Sequence, residues 1–141
     1  MTKHTINRQW LIWARHELNA AEACALAGEF HVACFLAAHA GLMSLRTFGF
    51  SDSPDAEYPV SPTVFYHQIR AKGFELQIPV GKLFTLNQHI FVITPREPDP
   101  PPLDIRTQKC VDEVLEAGRY VYDACLRQSE PPPGYRLIID L

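Results

Sequence analysis

The chain has 141 residues, of which 47% are hydrophobic and 21% are charged. That length and composition are typical of one globular domain with its own core, and a net charge of −3 gives no bulk attraction to nucleic acid. Any binding of RNA or nucleotides must therefore depend on a local patch.

The cysteines and histidines give no disulfide or metal signature. Four cysteines are scattered along the chain without C-x-x-C spacing, and no two histidines show H-x-x-x-H spacing. No basic-then-apolar leader opens the sequence, and the longest apolar runs fall short of the roughly 18 residues that a membrane span needs. We predict reduced thiols in a cytoplasmic protein without a membrane span, a metal or another cofactor.

Apolar periodicity predicts a helical hairpin in the first third of the chain. Apolar residues at steps of three and four predict a first helix over about residues 7–27, and Gly28 is a typical helix-ending residue. A second helix over about residues 29–48, closed by Gly49, is apolar almost all round and is expected to be central. Because so few residues separate the two helices, they should pack antiparallel.

Three further helices complete the predicted fold. Ser61 and Pro62 form a good N-terminal cap for a helix to about residue 72, a fourth runs from near 79 to Pro95, and a fifth covers about 105–128. The predicted fold class is all-α, an up-and-down bundle of four to five helices formed by residues 1–141 as one domain. Residues 134–141 form an apolar tail that either packs on the bundle or docks on a partner.

Several features in chain order carry a family resemblance: a first helix with Trp13 and Ala20-Ala21, a short turn at residues 28–30, residues 33–40 opening the second helix, and residues 93–99 (Ile-Thr-Pro-Arg-Glu-Pro-Asp) before one long C-terminal helix. These features resemble the HEPN family, the nucleotide-binding domain of higher eukaryotes and prokaryotes, whose loop is of the Ile-Pro-Thr-Arg-Tyr-Pro-Asp type. The likeness spans nearly the whole chain. It implies a four- to five-helix bundle, usually a homodimer with a cleft at the interface, that binds nucleotides or RNA and can accompany a nucleotidyltransferase in toxin and antitoxin pairs.

The second helix departs from the family pattern. Where the family typically has two glutamines, a glutamate and a lysine, this chain has Ala38, His39, Leu42 and Met43. Arg46 stands where a second family lysine often lies. A cleft built from these residues holds fewer hydrogen-bonding groups than the family's cleft.

The ribonuclease signature of many HEPN proteins is absent from the sequence. That signature is an arginine, four to six residues and then a histidine, which together polarise a phosphodiester and move a proton. His89 and Arg96 have six residues between them but in the reversed order. The sequence therefore favours a noncatalytic domain.

Four residues are candidate ligand contacts, namely Arg96, His39, Arg46 and His89. Arg96, on a loop stiffened by prolines, either contacts a phosphate or carboxylate ligand or has a structural role, in which it caps helix ends or pairs with acidic residues of that loop. His39, on an apolar helix, is either an interior or interface histidine or a ligand-binding group. Both alternatives stay open on the sequence alone.

The second helix also predicts a homodimer. Its small residues allow another helix to approach closely, and its apolar groups lie on more sides than one partner helix covers. The candidate interface residues are Ala38, Leu42 and Met43, of which Leu42 and Met43 are expected to be exposed in a monomer.

Three functions compete on these grounds. The favoured one is a noncatalytic HEPN-like domain that binds a nucleotide, RNA or a partner protein, in a toxin-antitoxin or nucleotidyltransferase setting. The alternatives are a divergent metal-independent ribonuclease toxin and a structural adaptor that binds other proteins.

Overall fold

The computed structural model describes residues 5–49, 61–90 and 107–129. The described helices and strands are β1 (Thr5–Ile6), α1 (Gln9–Leu26), α2 (Phe30–Leu45), β2 (Phe48–Gly49), α3 (Pro62–Ala71), α4 (Val80–Ile90) and α5 (Gln108–Gln128). The predicted all-α bundle of four to five helices is confirmed. The proline loop and the apolar tail lie outside the described residues.

Local capping determines several of the helix ends. The Ser61 hydroxyl accepts a hydrogen bond from the Val64 N–H at 3.4 Å, with Pro62 in the first turn, as the sequence predicts. At the start of α5, the Thr107 hydroxyl accepts from the Cys110 N–H at 3.3 Å, so the helix begins three residues later than expected. Gly28 follows α1 with a φ of 81°, the left-handed conformation that glycine adopts without strain.

The open end of the α1–α2 hairpin differs from the prediction. Helix α2 ends at Leu45, so the expectation that Gly49 closes it is wrong. The chain leaves the helix so that β2 pairs antiparallel with β1, with Ile6 opposite Phe48, and the Asn7 N–H donates to the Thr47 carbonyl at 2.8 Å. Two-residue strands are too short to show apolar alternation, which explains why periodicity missed them.

Helix α2 is the centre of the bundle, as its apolar sequence predicts, because it packs against α1, α3, α4 and α5. Small residues allow these contacts. A methyl group added to Gly118 of α5 would lie 2.6 Å from the Ala37 carbonyl oxygen, and one added to Gly41 would meet the Leu86 side chain of α4. No helix within the described ranges combines the length and the apolarity needed to cross a membrane.

The thiols of all four cysteines are reduced. Cys34 and Cys125 are buried, and burial raises the pKa of the Cys125 thiol far above its usual range. These two thiols therefore act as apolar core groups.

Candidate functional site

Two polar contacts join α1 to α2 on one side of the hairpin. Near its open end, the Arg46 guanidinium lies over the Trp10 ring, 5.2 Å from the ring centroid. The second contact joins Glu17 of α1 to His39 of α2. Glu17 lies seven residues after Trp10, and His39 lies seven residues before Arg46. Because seven residues make about two helical turns, both contacts fall on the same face of each helix.

We call this face the hairpin seam and define it by Trp10, Trp13, Glu17, His39 and Arg46. Trp13 belongs to it because residues three and four apart are neighbours on a helix surface, and Trp13 is three residues from Trp10 and four from Glu17. The Trp13 side chain is 57% exposed, which is unusual for so large an apolar group. The seam therefore presents aromatic surface beside a cation.

The Trp10–Arg46 contact keeps a guanidinium close to an aromatic face. Arg46 is the C-terminal cap residue of α2, where a cation also interacts favourably with the partial negative charge of the helix end. The 5.2 Å separation is within the range of cation–π attraction, which contributes about 0.5–1 kcal/mol at exposed sites. This contact fixes the arginine against the indole, with both residues partly exposed.

The His39–Glu17 contact is closer and more deeply buried. The Nδ1 atom of His39 lies 2.7 Å and 2.9 Å from the two carboxylate oxygens of Glu17, so the imidazole donates through Nδ1. The Glu17 side chain is only 9% exposed, whereas that of His39 is 31% exposed. The Phe35 ring stacks on the imidazole, with 5.4 Å between ring centroids. Glu17 and Phe35 together fix the orientation of the histidine ring.

The four predicted ligand-binding residues are not all brought together. His39 and Arg46 share the seam, two turns apart on α2. His89 lies on α4, which packs against α2 at Gly41, nearly opposite His39 around the helix. Arg96 lies outside the described residues.

The predicted interface residues are covered by their own chain. Ala38, Leu42 and Met43 are all buried in a single copy, so the expectation that Leu42 and Met43 are exposed in a monomer is wrong. The reason is that α2 is enclosed by four helices rather than by one hairpin partner. Homodimerisation itself stays a prediction, and these three side chains offer no free surface for it.

Sequence reasoning missed Trp10, Trp13 and Glu17 as parts of the site. Trp10 is partly buried and packs against the core. A signal was present, because Trp10 and Glu17 are seven residues apart, as are His39 and Arg46. Such matched spacing on the two helices of an antiparallel hairpin predicts two cross-helix contacts.

A polar cleft of about 560 Å³ lies on another part of the surface, between the α3–α4 connection and the C-terminal half of α5. Its lining residues are Arg70, Glu75, Gln77, Tyr120, Ala124, Arg127 and Gln128. Arg70 already donates to the Leu76 carbonyl at 3.0 Å, and Glu75 adds a negative charge. The cleft therefore combines two arginines and a tyrosine with one carboxylate, and it is a second candidate site for an anionic ligand.

Within residues 5–49, 61–90 and 107–129, no group of three or more histidine, cysteine, aspartate or glutamate side chains could hold a metal ion. No known protein family, curated protein sequence or solved structure gives a significant match to this chain.

Proposed function

We propose that this chain is a noncatalytic, HEPN-like helical domain that binds a phosphorylated nucleoside, free or within an RNA strand, at the hairpin seam. The observation that carries the proposal is the Arg46 guanidinium held against Trp10, with the exposed Trp13 ring one turn away. Aromatic faces and cations are the groups that bind unpaired bases and phosphates.

The chemistry of the seam suits both parts of a nucleotide. Stacking of a base on an aromatic side chain contributes about 1–3 kcal/mol, and it requires an exposed ring such as that of Trp13. A guanidinium can bind a phosphate through two parallel hydrogen bonds. The seam thus places one guanidinium beside aromatic surface on a chain whose net charge is −3.

The arrangement favours binding over catalysis. Ribonuclease chemistry needs an arginine and a histidine at one phosphodiester. Here His39 and Arg46 are separated by about 10 Å of helical rise, and each is engaged by a different residue of α1. A homodimer and an associated nucleotidyltransferase belong to the same proposal, as expectations from the family resemblance.

Thermal unfolding with a panel of nucleotides and short RNAs tests the proposal. A ligand at 100 times its dissociation constant adds about 2.7 kcal/mol to the free energy of unfolding, which raises Tm by several degrees. We expect Trp13→Ala to weaken binding about tenfold through the loss of stacking.

The matched control is Phe84→Ala, which removes an aromatic ring of similar exposure (60%) on α4. It should leave the shift in Tm unchanged. The proposal would be contradicted if no ligand raised the Tm, or if the rise in Tm were equal in wild type and Trp13→Ala. The Arg96→Ala variant tests the proline loop separately. Weaker ligand binding by this variant would show that Arg96 is part of the binding site.

A further inference from the structure

One wall of the polar cleft is a single face of α5. Tyr120, Ala124 and Gln128 follow one another at four-residue steps, and Arg127 lies three residues after Ala124, so these side chains are neighbours on the helix surface. Ala124 is small and buried, and it leaves space between the Tyr120 ring and the two polar side chains. This wall therefore offers an aromatic ring, a guanidinium and an amide around one recess.

The opposite wall is the connection between α3 and α4. Burial alternates along it, since Leu76 and Ile78 are buried whereas Glu75 and Gln77 are exposed and line the cleft. The two apolar residues anchor the connection in the core. The two polar residues between and beside them therefore face a ligand rather than the core.

Hydrogen bonds to α3 hold this second wall in place. The Leu76 carbonyl accepts from the Tyr66 hydroxyl at 3.1 Å and from the Arg70 guanidinium at 3.0 Å, and the Ile78 N–H donates to the Tyr66 oxygen at 3.3 Å. The bond to Leu76 also fixes Arg70 at the cleft and uses one of the five N–H donors of a guanidinium. A wall that is fixed in advance loses less conformational freedom when a ligand binds.

The charges of the cleft come from Arg70, Arg127 and Glu75. The side chains of Arg127 and Glu75 form no hydrogen bond or ion pair with the residues that the structure describes, so both are open to a ligand. Two guanidiniums match the charge of a phosphate monoester, which is close to −2, and each can donate two parallel hydrogen bonds to its oxygens. The Glu75 carboxylate only accepts hydrogen bonds, so it suits hydroxyl groups of the same ligand.

We propose that the polar cleft binds a small hydroxylated phosphate monoester, a ligand of the sugar phosphate class. The phosphate binds Arg70 and Arg127, the hydroxyl groups bind Glu75 and Gln77, and the Tyr120 ring covers the carbon skeleton. The cleft volume of about 560 Å³ is within the range of about 300–1,000 Å³ that is typical of small-molecule sites. No residue of the hairpin seam lines this cleft, so the site is independent of the proposed function.

Isothermal titration calorimetry of the full chain with glucose 6-phosphate tests the site, because this probe has no base to stack on the seam. We expect Arg127→Met to weaken its binding about tenfold or more through the loss of charge-assisted hydrogen bonds. Arg127→Lys should recover part of the affinity, since it keeps the charge without the planar fork. The matched control is Arg119→Met, which removes an exposed arginine of α5 outside the cleft and should bind the probe as wild type does.

The Glu75→Gln variant gives a second readout with opposite signs for two ligands. Inorganic phosphate should bind more tightly, because the variant removes the repulsion between the carboxylate and the phosphate. The preference for glucose 6-phosphate over inorganic phosphate should fall, because an amide oxygen accepts a weaker hydrogen bond from a hydroxyl group than a carboxylate does. A change of both affinities by the same factor would overturn the assignment of Glu75 to the hydroxyl groups.

The proposal is overturned if wild type does not bind glucose 6-phosphate, or if Arg127→Met and Arg119→Met alter its binding equally. Equal affinity of wild type for glucose 6-phosphate and inorganic phosphate would overturn the assignment to a hydroxylated ligand. AMP separates this site from the proposed function. AMP binding that is lost in Trp13→Ala, without glucose 6-phosphate binding, keeps the seam and rejects the cleft. Glucose 6-phosphate binding that depends on Arg127, with AMP binding unchanged in Trp13→Ala, keeps the cleft and rejects the seam.

Discussion

Close packing at single residues determines how α2 fits into the bundle. Gly118 of α5 faces the backbone of α2, where a methyl group would lie 2.6 Å from the Ala37 carbonyl oxygen. Backbone atoms cannot rotate away as a flexible side chain does, so the two helices must separate to accept even an alanine. The small residue at this position is a requirement of the interface between α2 and α5.

We therefore expect Gly118→Ala to lower the free energy of unfolding by about 1–3 kcal/mol, despite the higher helix propensity of alanine. The measurement is urea denaturation followed by circular dichroism.

Gly81→Ala on α4 is the matched control for this prediction, because a methyl group there meets no atom within 4 Å. The control should stabilise the protein by about 0.5–1 kcal/mol. Equal effects of the two substitutions would contradict the packing of α5 on α2.

At the scale of elements, the α1–α2 hairpin combines a structural role with a candidate binding surface. Its two cross-helix contacts lie two turns apart, and the nearly buried Glu17 carboxylate depends on His39 as its hydrogen-bonding partner. The hairpin, its antiparallel order and its glycine turn follow from apolar periodicity and from Gly28. The contacts between α1 and α2 depend on the register of the pair, which apolar periodicity on each helix alone does not give.

We expect His39→Ala to lower the free energy of unfolding by about 1–3 kcal/mol, because it leaves the buried Glu17 carboxylate without this partner. The double variant with Glu17→Leu should recover much of that loss, since replacing both partners with apolar groups costs less than removing one. A double-mutant cycle by chemical denaturation measures the coupling. Strictly additive effects would show that the contact contributes nothing to stability.

At the scale of the whole molecule, α2 is enclosed by its own chain. The sequence predicts a central, apolar second helix correctly, but its apolar character was also used to predict Ala38, Leu42 and Met43 as a dimer interface. Hydrophobicity identifies a face that must be covered, but it does not identify what covers it. The three further helices that pack on α2 supply this cover, and only the tertiary structure shows them doing so.

The homodimer is a separate prediction about the whole molecule. One chain has a mass of 16.0 kDa, so sedimentation equilibrium should give twice that value. Substitutions at Leu42 or Met43 should act through core packing, lowering stability before they alter association. A mass of 16.0 kDa at all concentrations tested would contradict the dimer and leave the hairpin seam to act within a single chain.

The central claim is that the hairpin seam binds a nucleotide, and tryptophan fluorescence tests it most directly. The chain has two tryptophans, and both belong to the seam, so the tryptophan emission comes from that surface. Titration with AMP should quench the emission to a plateau. It should do so equally in Phe84→Ala, but with about tenfold weaker affinity in Trp13→Ala, where the emission comes from Trp10. AMP binding by calorimetry without any change in fluorescence would place the ligand elsewhere, and no binding by either method would contradict the account.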